Sequence, residues 1–182
     1  MDYWSQKGSG NTEATIKAAL DRAGELGVKN VVVASNSGAT AEKLLGKGLN
    51  VVCVTHHVGF KEPGEDEMGL DKRKELQEKG VKILTTTHLL AGVDRALRFK
   101  FQGVFPAEIV ASTLRMMGQG YKVCVEISVM ALDAGLIPYG EEVVVIAGSG
   151  WGADAACIIE PAHSSQFFDT KIKEVICMPR EK

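Results

Sequence analysis

The chain has 182 residues, 45% of them hydrophobic, which suits one domain with a sizeable core. Its net charge of -2 and the absence of a basic block argue against nucleic acid as a main partner, since phosphate-backbone binding takes a clustered positive surface. No apolar run approaches the roughly 18 residues of a membrane span, and Met1-Asp2-Tyr3-Trp4-Ser5-Gln6 has neither a basic segment nor an apolar core, so a cytoplasmic protein without a membrane partner is expected.

In chain order, Thr12 to Leu26 places Ile16, Ala19, Leu20, Ala23 and Leu26 on one face, with Asn11 or Thr12 as N-cap and Gly27 past the end. This is an amphipathic helix. Asn30 to Ala34, with three consecutive valines, fits a strand buried on both faces, and Ala39 to Leu45 reads as a helix. Strands follow at Asn50 to Val54 and Val81 to Leu84, with a helix near Leu70 to Lys79. The densest charge, Lys61 to Lys79, mixes signs and reads as a solvated loop and helix face. Pro106 sits where a first helical residue is favoured, and Ile109, Val110, Thr113, Leu114 and Met117 form a stripe closed by Gly118. Tyr121 to Gly135 opens with a strand-like Val123-Cys124-Val125. Val123, Ile127, Met130, Ala131 and Ala134 nevertheless keep helical spacing over a length too great for one strand, so the segment is read as helix. Glu142 to Ala147, Ala155 to Ile159 and Lys173 to Met178 read as strands. The link between the first two is too short for a crossover, so if they pair they are antiparallel. Helix and strand alternate throughout, predicting a single α/β domain over residues 1–182. Its expected architecture is three-layer αβα, a mostly parallel sheet with an antiparallel strand at the late glycine hairpin.

Ligands of such sheets sit beyond the carboxyl ends of the strands, where the strand order reverses. The ends here are Ser35-Asn36-Ser37-Gly38, Thr55-His56-His57-Val58-Gly59, Thr85-Thr86-Thr87-His88 and Gly148-Ser149-Gly150-Trp151-Gly152. Each is rich in hydroxyl, imidazole or glycine. The first, continued by Ala39 and Thr40, reads either as a helix cap or as a phosphate cradle of free amides and hydroxyls at a helix N-terminus. The glycine segment lacks the G-x-G-x-x-G spacing and the following helix of a dinucleotide fingerprint. It reads either as a tight turn or as a backbone that approaches a flat ligand stacked on Trp151.

His56, His57, His88 and His163 match no zinc spacing, and no metal site is expected. His88 and His163 read as surface or capping residues, or as groups that bond a phosphate or act as acid or base. No G-x-S-x-G elbow or Cys–His arrangement marks a catalytic nucleophile. Cys53, Cys124, Cys157 and Cys177 have no short pair spacing and read as small buried hydrophobes.

Asn11-Thr12-Glu13, Val31 to Ala41, Val51-Val52-Cys53-Val54-Thr55 and Gly140 to Gly148 together resemble the C-terminal α/β domain of pyruvate kinase, and most of all the stand-alone proteins built from it. In regulated pyruvate kinases the matching Ser-Gly turn holds a phosphate of the allosteric sugar bisphosphate and the matching glycine loop closes over it. The resemblance therefore implies that Ser35, Asn36, Ser37, Gly38, Ala39 and Thr40 hold phosphate and that Gly148, Ser149, Gly150, Trp151 and Gly152 form a lid. The chain carries no counterpart of the catalytic barrel, so kinase chemistry is not implied. The glycine loop continues as Ala153-Asp154-Ala155-Ala156, where the enzyme has a threonine-rich stretch. Stand-alone members are similar to flavin mononucleotide (FMN) binders. The expectation is thus a phosphorylated small molecule, FMN first, with Thr55, Thr86, Thr87 and His88 completing the site by their placement at strand ends. A sugar-phosphate-binding allosteric module and a flavin-dependent oxidoreductase are the rival readings. Self-association is expected from the subunit contacts that the matching domain makes in pyruvate kinase.

Overall fold

Short runs of β-branched residues pair into one seven-stranded sheet in this computed structural model, which describes residues 1–181. The strands are β1 (Asp2–Trp4), β2 (Asn30–Ala34), β3 (Asn50–Thr55), β4 (Lys82–Thr85), β5 (Val143–Ala147), β6 (Ala155–Glu160) and β7 (Lys171–Pro179). Their order across the sheet is β1-β7-β6-β5-β2-β3-β4. Only β6 runs against the others, pairing antiparallel with both β5 and β7, because a short hairpin leaves no length for a crossover. From β2 the chain steps outward to β3 and β4, then returns to place β5 on the other side of β2. The strand order reverses between β2 and β5.

Helices α1 (Thr12–Leu26), α2 (Ala39–Glu42), α3 (Leu70–Glu78), α4 (Val93–Phe101), α5 (Pro106–Arg115) and α6 (Gln119–Asp133) complete the layers. Alternate residues of each central strand serve opposite faces. Val31, Val33, Val144 and Ile146 pack with Ile16, Ala19 and Ala23 of α1 and with Leu76 of α3. Val32, Val143 and Val145 pack with Cys124, Val125 and Ile127 of α6. Removal of each of these valines from water is worth roughly 1.5–3 kcal/mol, so double-sided burial explains why the strands read as unbroken apolar runs. All four cysteines are buried free thiols, and burial pushes Cys53 up to about 12.

Three features depart from the pattern expected of the sequence. The helix expected over Ala39 to Leu45 stops at Glu42: Leu44 and Leu45 donate three residues back, to Ala41 and Glu42, and the left-handed Gly46 and Gly48 then turn the chain away. The segment Val93 to Phe101 forms a helix that buries none of its residues. The edge strand β1 pairs with β7 through only three residues. By contrast, Val123-Cys124-Val125 lies within α6, which is buried around most of its circumference, so its apolar period was blurred by burial on all sides.

Candidate functional site

A cleft of about 1280 Å³ opens at the carboxyl edge of the sheet, above the reversal between β2 and β5. It brings together Ser35, Asn36, Ser37, Ala39, Thr40, Thr55, His88, Gly148, Gly150, Trp151 and Gly152, residues from four strand ends. Gly38, Thr86, Thr87 and Ser149 are not on its wall. Gly38 instead packs beneath the turn, where a Cβ would meet Leu76 Cδ1 at 2.6 Å, and its φ of +84° puts it in the left-handed region. Thr86 and Thr87 are exposed. Ser149 donates from its hydroxyl to Asp154 Oδ1 at 3.3 Å.

In the first turn two side chains are committed to the fold. Ser35 Oγ accepts the Thr40 N–H at 3.1 Å, closing the start of α2. Asn36 spans to β3: its Oδ1 accepts the His56 backbone N–H at 2.9 Å, which fixes the amide so that Nδ2 donates to His56 Nε2 at 3.2 Å. That leaves the imidazole proton on Nδ1, donated to Glu67 Oε2 at 2.5 Å. Glu67 also pairs with Lys61 at 2.5 Å. Burial opposes ionisation of Glu67, but the hydrogen bonds from Lys61 and His56 hold its carboxyl below the ordinary range. Ser37 and Ala39 are exposed, and among the described residues no acceptor meets the N–H groups of Ser37, Gly38 and Ala39. The turn thus presents open amides beside the Ser37 hydroxyl.

The glycine hairpin is clamped to the start of α1. Thr12 Oγ1 donates to Ser9 O at 2.8 Å and accepts the Ala153 N–H at 3.0 Å, while the buried Asp154 accepts the Gly8 N–H at 2.8 Å. A Cβ on Gly152 would lie 2.4 Å from Thr12 Oγ1, and one on Gly148 would lie 2.3 Å from Gly152 O. Both glycines are needed for close approach. Trp151 at the tip is 70% exposed, with the Lys61 ammonium 5.0 Å from its ring centroid.

Opposite the hairpin, His56 stacks on Phe60 at 3.7 Å between centroids, and the His88 ring lies 5.3 Å from His56 and 5.7 Å from Phe60. Burial lowers the pKa of His88, with Glu126 acting in the opposite direction. Arg95 stands over the outer side of this cluster, 5.9 Å from the Phe60 centroid. Thr55 is committed to the sheet edge, its hydroxyl 2.7 Å from that of Thr85. His163 lies elsewhere, bonded to Asp133 at 2.9 Å and stacked on Tyr139.

Sequence reasoning missed several wall residues: Phe60, Arg95, Arg115, Lys122 and Glu126. It also read Lys61 to Lys79 as solvated, whereas Lys61 and Glu67 of that run position His56. One signal was available. Lys122 and Glu126 stand one turn apart in a helix otherwise almost wholly apolar, and a charge pair at that spacing is placed to pair inside the fold.

Solved structures similar to this chain include Cryptosporidium parvum pyruvate kinase in complex with ADP, at 16% identity and a TM-score of 0.41 over 84% of this chain and 24% of that one. A second crystal structure of a pyruvate kinase from Cryptosporidium parvum matches at 16% identity and a TM-score of 0.38, over 79% of this chain and 22% of that one. The chain therefore spans less than a quarter of the length of these enzymes. Among the described residues no helix is long and apolar enough to cross a membrane. The family model for the pyruvate kinase alpha/beta domain matches residues 13–159, and the chain belongs to that family.

Proposed function

We propose that the cleft binds a phosphorylated small molecule carrying a flat ring, FMN being the ligand that makes use of both of its ends. The observation that carries this reading is the meeting, in one cleft, of a turn with open amides and an exposed indole. The donor set fits such a group. The N–H groups of Ser37 and Ala39 and the Ser37 hydroxyl would hold the phosphate, and α2, only four residues long, adds little dipole of its own. Trp151, or the imidazole and phenyl faces of His88 and Phe60, would cover the ring. Bound flavin would supply redox chemistry; the residues of this chain would bind it, orient it and limit its exposure to water.

The test is direct. Purified protein is expected to show visible flavin absorbance, or to bind added FMN in a titration; a colourless protein that binds none removes the flavin reading. A carboxylate about 5 Å from a phosphate, at an effective dielectric of about 20, is repelled by roughly 3 kcal/mol per unit charge. Ser37→Glu should therefore weaken FMN by at least about tenfold, an effect of ~1.4 kcal/mol. Unchanged affinity would take the turn out of the site.

A further inference from the structure

Helix α5 serves two surfaces. On one side Ala111 is buried and Leu114 packs with the α6 cluster. On the other, Ile109, Ser112, Thr113 and Met116, spaced at i, i+3, i+4 and i+7, share one helix face and line the cleft. Thr113 Oγ1 donates to the Ile109 carbonyl at 2.9 Å, so its hydroxyl is satisfied within the helix. Ile109 and Met116 are 57% and 68% exposed, and Val104, in the link from α4, lines the cleft and is exposed as well. Val123 and Ile127 of α6 extend this apolar lining. The charges around it are already matched or solvated. Glu108 pairs with Arg98 at 2.7 Å, and Lys122 with Glu126 in a buried ion pair. Arg95 and Arg115 are exposed, the first over the Phe99 ring and the second bonded to Gln119 at 2.8 Å. A lining of this kind selects an uncharged group, because an ion covered by it would lose its hydration and gain no partner.

We propose that the Ile109–Met116 face of α5, with Val104, is a second subsite of the cleft, which takes the uncharged apolar group of a small co-ligand distinct from the molecule held at the Ser35–Thr40 turn. The two ends of the cleft lie over opposite faces of the sheet. The turn leads into α2, whose Ala41 packs with α1 and α3, whereas α5 packs on α6 across the sheet. Space permits two occupants, since about 1280 Å³ exceeds the usual range of roughly 300–1,000 Å³ for a site that holds one small ligand. The recess suits a small molecule better than a second copy of the chain. Its exposed part, Val104, Ile109 and Met116, falls well short of the roughly 800 Å² per partner that a stable protein interface covers. The subsite does not depend on the flavin reading, because none of its residues is part of the turn or the hairpin.

The experiment titrates flavin-free protein with N-phenyl-1-naphthylamine, an uncharged apolar probe that fluoresces when it leaves water and has no group for the amides of the turn. Saturable binding of one probe per chain is expected. Ile109 and Met116 are exposed, so Ile109→Glu and Met116→Glu should fold with unchanged urea midpoints, and each should weaken the probe at least about tenfold. Phe168 is 85% exposed and follows β6, the antiparallel strand, so it lies at the opposite edge of the sheet; Phe168→Glu should change the affinity less than about twofold and so controls for adhesion to any exposed apolar side chain. Failure to saturate by about 50 µM would overturn the subsite. Loss of binding on Trp151→Ala with both α5 variants unaffected would overturn it too, by placing the probe at the hairpin. A parent chain that sediments as a dimer, takes up no probe and is split by Met116→Glu would assign the face to a second copy. None of these results bears on whether FMN binds, which the absorbance and FMN titration decide separately.

Discussion

Replacement of single glycines in the hairpin separates two physical reasons for their presence. Gly152 has a φ of +71° and would place a Cβ 2.4 Å from Thr12 Oγ1 and 2.7 Å from Ser9 Cα. Gly152→Ala thus meets a left-handed penalty of roughly 1–2 kcal/mol and an overpacking penalty of about 1–3 kcal/mol, together about 2–5 kcal/mol. Gly150, with a φ of +98°, has nothing within 4 Å of the same position, so Gly150→Ala carries only the backbone penalty. Gly148 has no positive φ but would drive a Cβ to 2.3 Å from Gly152 O, so Gly148→Ala carries only the packing penalty. Urea unfolding of the three variants reads these values as shifts in midpoint at constant slope. With a slope of about 2 kcal/mol/M, Gly152→Ala should lower the midpoint by ~1–2.5 M, Gly150→Ala by ~0.5–1 M and Gly148→Ala by ~0.5–1.5 M. A Gly152→Ala midpoint no lower than that of Gly150→Ala would refute the reasoning, since the start of α1 would then yield freely and would not be a rigid clamp.

Two further outcomes follow from the imidazole cluster. Asn36→Ala leaves the His56 backbone N–H and ring Nε2 without their partners and should cost about 1–3 kcal/mol in urea unfolding, with a shift of the His56 ring resonances; an unchanged midpoint and spectrum would show that water replaces the amide. The pKa of His88 in the folded protein lies below its ordinary value of 6.5, so between those two values the unfolded chain binds more protons and stability rises with pH. Its share of stability is complete above about pH 6.5 and is lost as the pH falls through that window. Unfolding midpoints at pH 7.5 and 5.5 should therefore converge in His88→Gln relative to the parent chain, and an equal acid loss in both would remove His88 as its source.

The parts of this molecule that were legible in its sequence are those whose energetics are local or periodic. Double-sided burial wrote β2, β3 and β5 as runs of valine and isoleucine, and the short Gly148–Asp154 link forced β6 to run antiparallel. The placement of four polar strand ends on one edge followed from parallel topology alone. What the strand ends do there depends on partners far away in the chain, and no local pattern encodes that. Ser35 and Asn36 carry the residue types of a phosphate site, yet Thr40 and His56 occupy their side chains, so they shape the turn and leave its amides open. Glu67 sits in a charged run that resembles any solvated helix approach, and only the fold carries it to His56. Lys122 and Glu126 are one turn apart in the chain, but the burial that makes them a desolvated ion pair exists only once α6 packs against the sheet and α5. The chemistry of the cleft therefore turns less on side chains at the strand ends than on what those side chains leave exposed, the unpaired backbone N–H groups of the turn, which call for negative charge.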